Sequence, residues 1–375
     1  MAAVNGTPVR VPQEMQYFHS GCNSREQVAQ TVMVRPDYRE QMDAPNPPFV
    51  PLVIGHRGAP GYRPEHTRSS YELAFALGAD AVEPDIVITK DGVLVVRHEN
   101  EISGTTDVAQ HPEFAGRHTT KRIDGVTLTG WFTEDFTWAE LATLRARERL
   151  PELRQHSSSF DGAEPMLRLS ELLELVDETA DRTARPLRLV AEIKHPTYFA
   201  SIGMPLDEPV AAALAPWGGQ ERLTVECFEQ TVLGQVRMRG VSAEFVYLME
   251  ATGAAPDLVD RDGSSAESYA SQLTDTGLDR LAREVDGISP DKSLLLDDPA
   301  LVLRAHERGL RVFTWTLRPE NGFLAAPHRL AGSPSDWGDW RTEFESILRT
   351  GVDGIFVDHA DLGVAARARV ADATS

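Results

Sequence analysis

The chain has 375 residues, 41% hydrophobic and 25% charged, which is ordinary for a globular protein with a large core. Its 37 basic and 57 acidic side chains give a formal net charge of −20. That charge argues against a nucleic-acid-binding protein, because binding to phosphates requires a basic surface. The two cysteines, Cys22 and Cys227, provide neither a disulfide framework nor a metal cluster.

The start of the chain predicts an N-terminal arm. Residues 1–48 are polar and end in a proline-rich run, and we interpret them as an arm with little regular structure. The first thirty residues lack the apolar stretch of a signal peptide, which favours a cytoplasmic location. Export followed by removal of a signal is the alternative. The chain contains no apolar run of about 18 residues, so we expect no membrane span.

From residue 49 onward, short apolar runs alternate with helical patterns. The runs lie at 51–55, 81–86, 188–193, 222–227, 244–249, 285–289, 311–316 and 352–357. One helical pattern begins after Thr67 and stops at Gly78, and another opens at Asp298-Pro299 and stops at Gly309. Eight such units predict an α/β protein, a (β/α)₈ TIM barrel with a parallel sheet, over residues 49–370.

The interval between the second and third strands is too long for one barrel helix. We expect a barrel helix at 171–180 and an insertion at 103–165, which includes a helix at 138–147 with a Thr137/Glu140 capping box. The arginine-rich stretch 145–154 is interpreted as a solvated helix face. Barrel active sites lie at the carboxyl ends of the strands, so this insertion would form a wall or lid over the site.

Acidic side chains cluster at two strand ends. Strand two carries Glu83 and Asp85, and strand three carries Glu192 and Lys194. Side chains two residues apart in a strand point to the same face, so each pair projects together. Three converging carboxylates would repel one another, and oxygen ligands suit one hard divalent cation, Ca²⁺ or Mg²⁺. The alternative for Glu83 and Asp85 is a salt-bridged pair that faces Arg57 and Lys194.

Two histidines follow strand-like runs near these acids. His56 ends strand one, and His98 follows the apolar run 93–96. Each could be a structural residue, but as a pair they suit proton transfer, one as a base and the other protonating a leaving oxygen. Arg57 and Lys194 add positive charge beside them. Together with a metal ion, these groups indicate cleavage of a phosphodiester.

A series of short motifs carries a family resemblance. They are His56-Arg57-Gly58-Ala59, Pro64-Glu65-His66-Thr67, Glu83-Pro84-Asp85, Thr89-Lys90-Asp91-Gly92, His98, Glu192-Ile193-Lys194, Asp286-Gly287-Ile288-Ser289-Pro290-Asp291, Thr314-Trp315-Thr316 and Gly354-Ile355-Phe356-Val357-Asp358. In this order, over roughly residues 50–365, the set resembles the glycerophosphodiester phosphodiesterase family. It is most similar to the longer bacterial branch, which has His in place of Asn in the Pro-Glu-Asn-Thr motif and a large insertion after strand two.

The resemblance implies a TIM barrel that hydrolyses glycerophosphodiesters, such as glycerophosphocholine or glycerophosphoethanolamine, to sn-glycerol 3-phosphate and an alcohol. The implied roles are acid/base catalysis by His56 and His98, binding of one divalent ion by Glu83, Asp85 and Glu192, phosphate binding by Arg57 and Lys194, a ligand-shell or substrate-hydroxyl contact by Glu65, and packing of Trp315 against the glycerol. The chain departs from the family at His98-Glu99, where His-Asp is usual, so Glu99 is expected to orient the histidine less well.

Two other functions fit the same fold. A lysophospholipase D or phospholipase-type enzyme would act on lipid headgroups, and a non-catalytic barrel would bind glycerophosphodiesters as a sensor or carrier. The presence of both histidines and all three acids argues against the non-catalytic barrel. In each case the expected partner is a small molecule, and the sequence leaves the oligomeric state open.

Overall fold

The computed structural model describes residues 50–374, so the predicted arm at 1–48 lies outside the described residues. The strands are β1 (Leu52–His56), β2 (Ala81–Glu83), β3 (Asp85–Ile88), β4 (Leu94–Val96), β5 (Thr119–Ile123), β6 (Val126–Gly130), β7 (Arg188–Ile193), β8 (Leu223–Cys227), β9 (Glu244–Met249), β10 (Gly287–Pro290), β11 (Arg311–Leu317) and β12 (Gly354–Val357).

Eight parallel strands close into a barrel. Their order is β2-β1-β12-β11-β10-β9-β8-β7-β3, and the ring closes because β7 pairs with both β2 and β3. The strands β2 and β3 are two halves of one barrel strand that is interrupted at Pro84, a residue without a backbone donor. The predicted TIM barrel is confirmed. Outside the ring, β4 pairs antiparallel with β3.

Helices cover the outside of the barrel. They are Arg68–Ala76, Leu169–Thr183, Pro196–Ser201, Asp207–Leu214, Gln230–Met238, Pro256–Asp262, Tyr269–Gln272, Asp275–Leu281, Lys292–Asp297, Ala300–His306, Trp340–Leu348 and Ala360–Thr374, with the short helices Trp138–Leu141 and Gln155–Ser158 before the second of these. Thr67 caps the first helix by accepting a hydrogen bond from the Ser70 amide. None of the helices described between residues 50 and 374 has both the length and the apolar character that a membrane crossing requires.

One helix boundary differs from its prediction. Pro299, and not Asp298, is the N-cap of the helix Ala300–His306, and it makes no side-chain capping bond. The Asp298 carboxylate instead accepts a hydrogen bond from Arg304 Nη2 at 2.6 Å. The helix therefore starts one residue later than the sequence pattern indicates, and the acidic side chain pairs with a cation on the same helix.

The core has two main layers. Apolar side chains on the inner faces of the strands fill the barrel, among them Ile54, Val190, Val246, Phe313 and Phe356. The outer faces of the strands pack against the helices in a larger apolar cluster. Because the barrel interior is filled, only its rim can hold a ligand, and the carboxyl ends of the strands form that rim.

The segment 103–165 runs between β4 and the helix Leu169–Thr183 and has an apolar cluster of its own. That cluster is Val108, Phe114, Phe136, Leu141 and Leu144, together with Ile102 and Met166 at the two ends of the segment. The hairpin β5–β6 projects from it with Asp124 and Gly125 in the turn, both at positive φ (47° and 83°), as a two-residue hairpin turn requires. The division of the chain into arm, barrel and insertion stays a prediction.

The predicted helix at 138–147 is wrong in its length. The Thr137/Glu140 capping box is present, but the helix ends at Leu141. Beyond it the chain makes a turn, and Ala146 and Arg145 then form isolated bridges with Thr106 and Pro165. Pairing within the segment therefore overrides the helical pattern of the sequence.

Candidate active site

A cavity of about 730 Å³ opens at the carboxyl ends of the strands. This volume is in the usual range for small-molecule sites. The predicted site residues that line it are His56, Arg57, Glu83, His98, Glu192, Lys194 and Trp315. Asp85 and Glu65 lie behind this wall, where both contact Arg57. The structure thus brings residues from β1, β2, β7, β11 and the loop after β4 to one place.

The turn after β1 fixes Arg57. Its backbone is left-handed (φ 56°), and its amide donates a hydrogen bond to Glu83 Oε2 at 2.9 Å. The next residue, Gly58, is also at positive φ (96°), and a Cβ there would lie 2.5 Å from Ser70 Oγ. Only glycine fits this position, so the turn that presents Arg57 depends on Gly58.

The three predicted acids meet as expected. Oxygens of Glu83, Asp85 and Glu192 all lie within 4.8 Å of one another, and all three side chains are buried. The register of the sheet explains this, because Asp85 on β3 pairs with Glu192 on β7. Carboxylates on neighbouring strand ends therefore converge at the rim of the barrel.

The salt-bridged alternative is realised only for part of the cluster. Lys194 Nζ lies 3.0 Å from Asp85 Oδ1 and 2.6 Å from Glu192 Oε1. Arg57 Nε lies 3.2 Å from Asp85 Oδ2. By contrast, Oε1 of Glu83 has neither an ion pair nor a hydrogen-bond partner among residues 50–374, whereas Asp85 Oδ1 and Glu192 Oε1 have the Lys194 ammonium beside them. A buried carboxylate oxygen without a partner is costly, which points to a missing positive ligand.

Negative charge exceeds positive charge in this cluster. Burial, together with the charges of Asp85 and Glu192, raises the pKa of Glu83 well above its usual range. A fourth acid, Glu226 on β8, pairs in register with Glu192, and burial likewise raises its pKa. Burial is the main cause of both shifts, and repulsion from the neighbouring carboxylates adds to it. The oxygen-only donor set and its unpartnered oxygen are thus compatible with a divalent metal site formed by Glu83, Asp85 and Glu192.

His56 is held by a carboxylate at the end of β12. Its Nδ1 lies 2.6 Å from Asp358 Oδ1. Although burial opposes ionisation, the charges of Arg318, Arg154 and His56 hold the pKa of Asp358 well below its usual range. An ionised carboxylate can only accept, so Nδ1 of His56 donates. Burial and the charge of Arg57 lower the pKa of His56 to about 4, so near neutral pH the ring has a free Nε2 lone pair.

His98 has a parallel arrangement. Its Nδ1 lies 2.6 Å from Glu99 Oε1. Burial and the charges of Arg57 and Lys194 lower the pKa of this histidine well below its usual range. The Glu99 carboxylate therefore makes the contact that the sequence comparison expects of an aspartate, in spite of its longer side chain.

The arginine-rich stretch 145–154 is not a solvated helix face. Arg149 forms hydrogen bonds with Glu65 and with Glu99, and Arg154 forms hydrogen bonds with Glu320 and with Asp358. The prediction was wrong because the segment from Arg145 is irregular and turns into the site. Pro151, which cannot continue a helix, is the sequence signal that could have indicated this turn.

Other cavity residues complete the site. Asp124, at the tip of the β5–β6 hairpin, lies 2.5 Å from His195 Nδ1, and both line the cavity, so the segment 103–165 forms part of its wall. Trp315 donates from Nε1 to the Ser289 carbonyl at 2.9 Å, and its ring packs edge-on against Phe228. Sequence reasoning missed Glu226, although a single acid near the end of an apolar strand was a visible signal.

Known proteins share this sequence and architecture. Residues 56–362 match the profile of the Glycerophosphoryl diester phosphodiesterase family. The glycerophosphodiester phosphodiesterase GDPD6 of Arabidopsis thaliana is 31% identical over 350 residues, which cover 86% of this chain and 89% of the plant protein. The chain belongs to the glycerophosphoryl diester phosphodiesterase family. It is therefore an enzyme of the glycerophosphodiester phosphodiesterase class.

Further relatives agree with this assignment. A glycerophosphodiester phosphodiesterase of Treponema pallidum is 25% identical over 84% of this chain and 90% of its own length. A crystal structure from Silicibacter pomeroyi is similar with a TM-score of 0.61 at 25% identity, over 87% of this chain and 95% of that chain. An Oleispira antarctica phosphodiesterase, solved with the product sn-glycerol-3-phosphate, shares the fold with a TM-score of 0.55 at 20% identity, over 85% and 97% of the two chains.

Proposed function

We propose that this enzyme is a metal-dependent glycerophosphodiesterase that uses His56 and His98 as its acid/base pair and releases sn-glycerol 3-phosphate and an alcohol. One observation carries the proposal. Two imidazoles, each with Nδ1 held by a carboxylate, line the same cavity as the cluster of three acids. Proton donors and acceptors on both sides of a phosphate are what phosphodiester hydrolysis requires.

Phosphate binding falls to Arg57 and Lys194. Both are cations on the cavity wall, and both are held by acids behind it, so their positions are fixed before substrate arrives. Glu65 would act through Arg57, with its carboxylate 3.0 Å from Arg57 Nη1. Trp315, immobilised by Ser289, would pack against the glycerol. Positive charge held in place in a buried site stabilises the negative charge that develops on the phosphate oxygens.

Glu83, Asp85 and Glu192 would hold one divalent ion, Ca²⁺ or Mg²⁺. Bound there, the ion supplies Lewis-acid polarisation of a phosphate oxygen. His66 also contacts one of these acids. Its Nε2 lies 2.9 Å from Asp85 Oδ2, and its Nδ1 lies 2.7 Å from Tyr71 Oη. The histidine at the position of the family's usual asparagine therefore orients one of the proposed ligands.

The histidines move the protons. One neutral imidazole takes a proton from the attacking oxygen, which belongs to water or to the 2-hydroxyl of the substrate. Attack by the 2-hydroxyl expels the alcohol and leaves a transient cyclic phosphate, which a water molecule then opens to give glycerol 3-phosphate. The other returns a proton to the alcohol oxygen as its bond to phosphorus breaks. The negative charge of a bound phosphodiester raises the pKa of nearby imidazoles, so the acid can gain its proton when substrate binds. Each such group contributes about 10²–10⁴-fold to the rate.

A chelated and reconstituted enzyme tests the proposal. We expect no release of glycerol 3-phosphate after chelation, and recovery when Ca²⁺ or Mg²⁺ is added, on glycerophosphocholine and glycerophosphoethanolamine. Lysophosphatidylcholine in the same panel tests the lysophospholipase D alternative, which predicts faster cleavage of the lipid. Full activity in chelator would contradict metal dependence, and cleavage that leaves no glycerol 3-phosphate would contradict the proposed products.

A further inference from the structure

The segment 149–154, Arg-Leu-Pro-Glu-Leu-Arg, begins and ends with an arginine, and both arginines contact acidic residues of the site. We propose that Arg149 and Arg154 are positioning residues, each of which locks the carboxylate that orients one catalytic histidine. The inference rests on the proposed function for the roles of His56 and His98. It assigns the insertion a second task besides forming a wall of the cavity.

Arg149 serves the His98 side. Its Nη1 donates to Glu99 Oε1 and its Nη2 to Glu99 Oε2, both at 2.6 Å. Its Nε and Nη2 also donate to the two oxygens of Glu65, at 2.7 and 2.6 Å. Glu99 Oε1 is the same atom that lies 2.6 Å from His98 Nδ1. A planar guanidinium that grips both carboxylate oxygens fixes the plane of that carboxylate, and with it the direction of the histidine bond.

Arg154 serves the His56 side. It is buried, its Nη2 donates to Asp358 Oδ2 at 2.5 Å, and its Nε donates to Glu320 Oε1 at 2.8 Å. Arg318 Nε donates to the same Asp358 oxygen at 2.6 Å. Both guanidinium groups occupy Oδ2, so Oδ1 remains directed at His56 Nδ1. One oxygen of the Asp358 carboxylate therefore binds the two arginines, and the other binds the histidine.

The two contacts belong to one short loop. Five peptide bonds separate the arginines, and Pro151 between them restricts the backbone. One short loop therefore holds the partners of both histidines, with Arg149 on Glu99 and Arg154 on Asp358. Displacement of a catalytic group by about 1 Å costs up to 10²-fold in rate.

A spectroscopic measurement separates positioning from general stability. The Nδ1 protons of His56 and His98, each hydrogen-bonded to a carboxylate, give separate downfield proton resonances that His56→Gln and His98→Gln identify. We expect Arg149→Ala to remove or shift the His98 resonance and to leave that of His56, and Arg154→Ala to do the reverse. The matched control is Arg147→Ala, which removes an arginine of the same stretch that pairs with Asp161 at 3.5 Å and is 44% exposed. It should leave both resonances in place.

Kinetics on glycerophosphocholine gives the second readout. We expect kcat to fall about 10–100-fold in Arg149→Ala and in Arg154→Ala, with KM within a few-fold of the parent, since the loss lies in histidine orientation. Added guanidinium ion should restore part of the kcat of Arg149→Ala. If either alanine variant fails to fold, Arg149→Lys and Arg154→Lys retain the charge without the planar fork, and kcat should lie between parent and alanine levels.

The outcomes are separable. The positioning role would be overturned if both Nδ1–H resonances stayed unchanged in the alanine variants of the two arginines. It would also be overturned if the lysine variants kept the parental kcat and the parental resonances. Selective loss of a resonance does not depend on turnover. If the resonances respond as expected but His98→Gln retains parental kcat, the positioning role stands while the proposed acid/base function fails.

Discussion

Replacing His98 by alanine is expected to lower kcat on glycerophosphocholine by about 10²–10⁴-fold, since the variant lacks one of the two proton-transfer groups. The fold should survive, because Glu99 keeps both of its hydrogen bonds to Arg149 when the imidazole is removed. Steady-state kinetics and thermal unfolding on the same preparation measure the two effects.

The matched control for this substitution is His111→Ala. His111 is also a partly buried histidine, with a side chain 22% exposed, and its Nδ1 lies 3.1 Å from Glu113 in the insertion. Its loss should leave kcat within about twofold, because His111 is not among the residues that line the cavity. A folded His98→Ala enzyme with activity close to that of the control would reject the catalytic role of His98.

Replacing Glu83 by glutamine is expected to abolish divalent-ion binding and to reduce turnover to the level of the chelated parent. Ion binding to the folded parent should raise its free energy of unfolding by about 2.7 kcal/mol at an ion concentration of a hundred times Kd. The variant should gain no such stabilisation. Calorimetric titration and unfolding with and without the ion measure both properties.

The ion-free variant provides a further sign test. Burial and the charges of Asp85 and Glu192 disfavour an ionised Glu83 when no ion is bound, and its Oε1 has no hydrogen-bond partner among the described residues. In the absence of the ion, Glu83→Gln should thus be at least as stable as the parent. The control is Glu72→Gln, which changes a glutamate on an exposed helix face and should bind the ion as the parent does. The ligand role of Glu83 would be refuted if Glu83→Gln still bound the ion and, measured without the ion, were less stable than the parent.

The sequence predicts the strands well because their apolar runs are short, β-branched and separated by clear helix signals. It also predicts the convergence of Glu83, Asp85 and Glu192, since strand alternation and the known rim of a barrel are local and topological rules. Glu226 obeys the same rules, and its register with Glu192 on the neighbouring strand follows from the barrel order.

The insertion is where sequence reasoning failed, and the reason is physical. The partners of Arg149 and Arg154 lie far away along the chain, and Arg154 reaches Asp358 from 204 positions earlier. No periodicity encodes such a pairing. The local pattern at 138–147 favours a helix, but bridges from Arg145 and Ala146 to Pro165 and Thr106 take the backbone away from helical geometry. Tertiary contacts outweigh helix propensity, which is small per residue.

In the proposed active site, one divalent ion bound by three acids lies in the same cavity as two imidazoles. Anomalous diffraction from a crystal soaked in Mn²⁺, an ion that carboxylates bind much as they bind Mg²⁺, tests it most directly. We predict a single strong peak about 2.0–2.6 Å from oxygens of Glu83, Asp85 and Glu192, with Nε2 of His56 and of His98 facing the same cavity. A peak away from these three acids, or imidazoles that point away from the cavity, would rule out this active site.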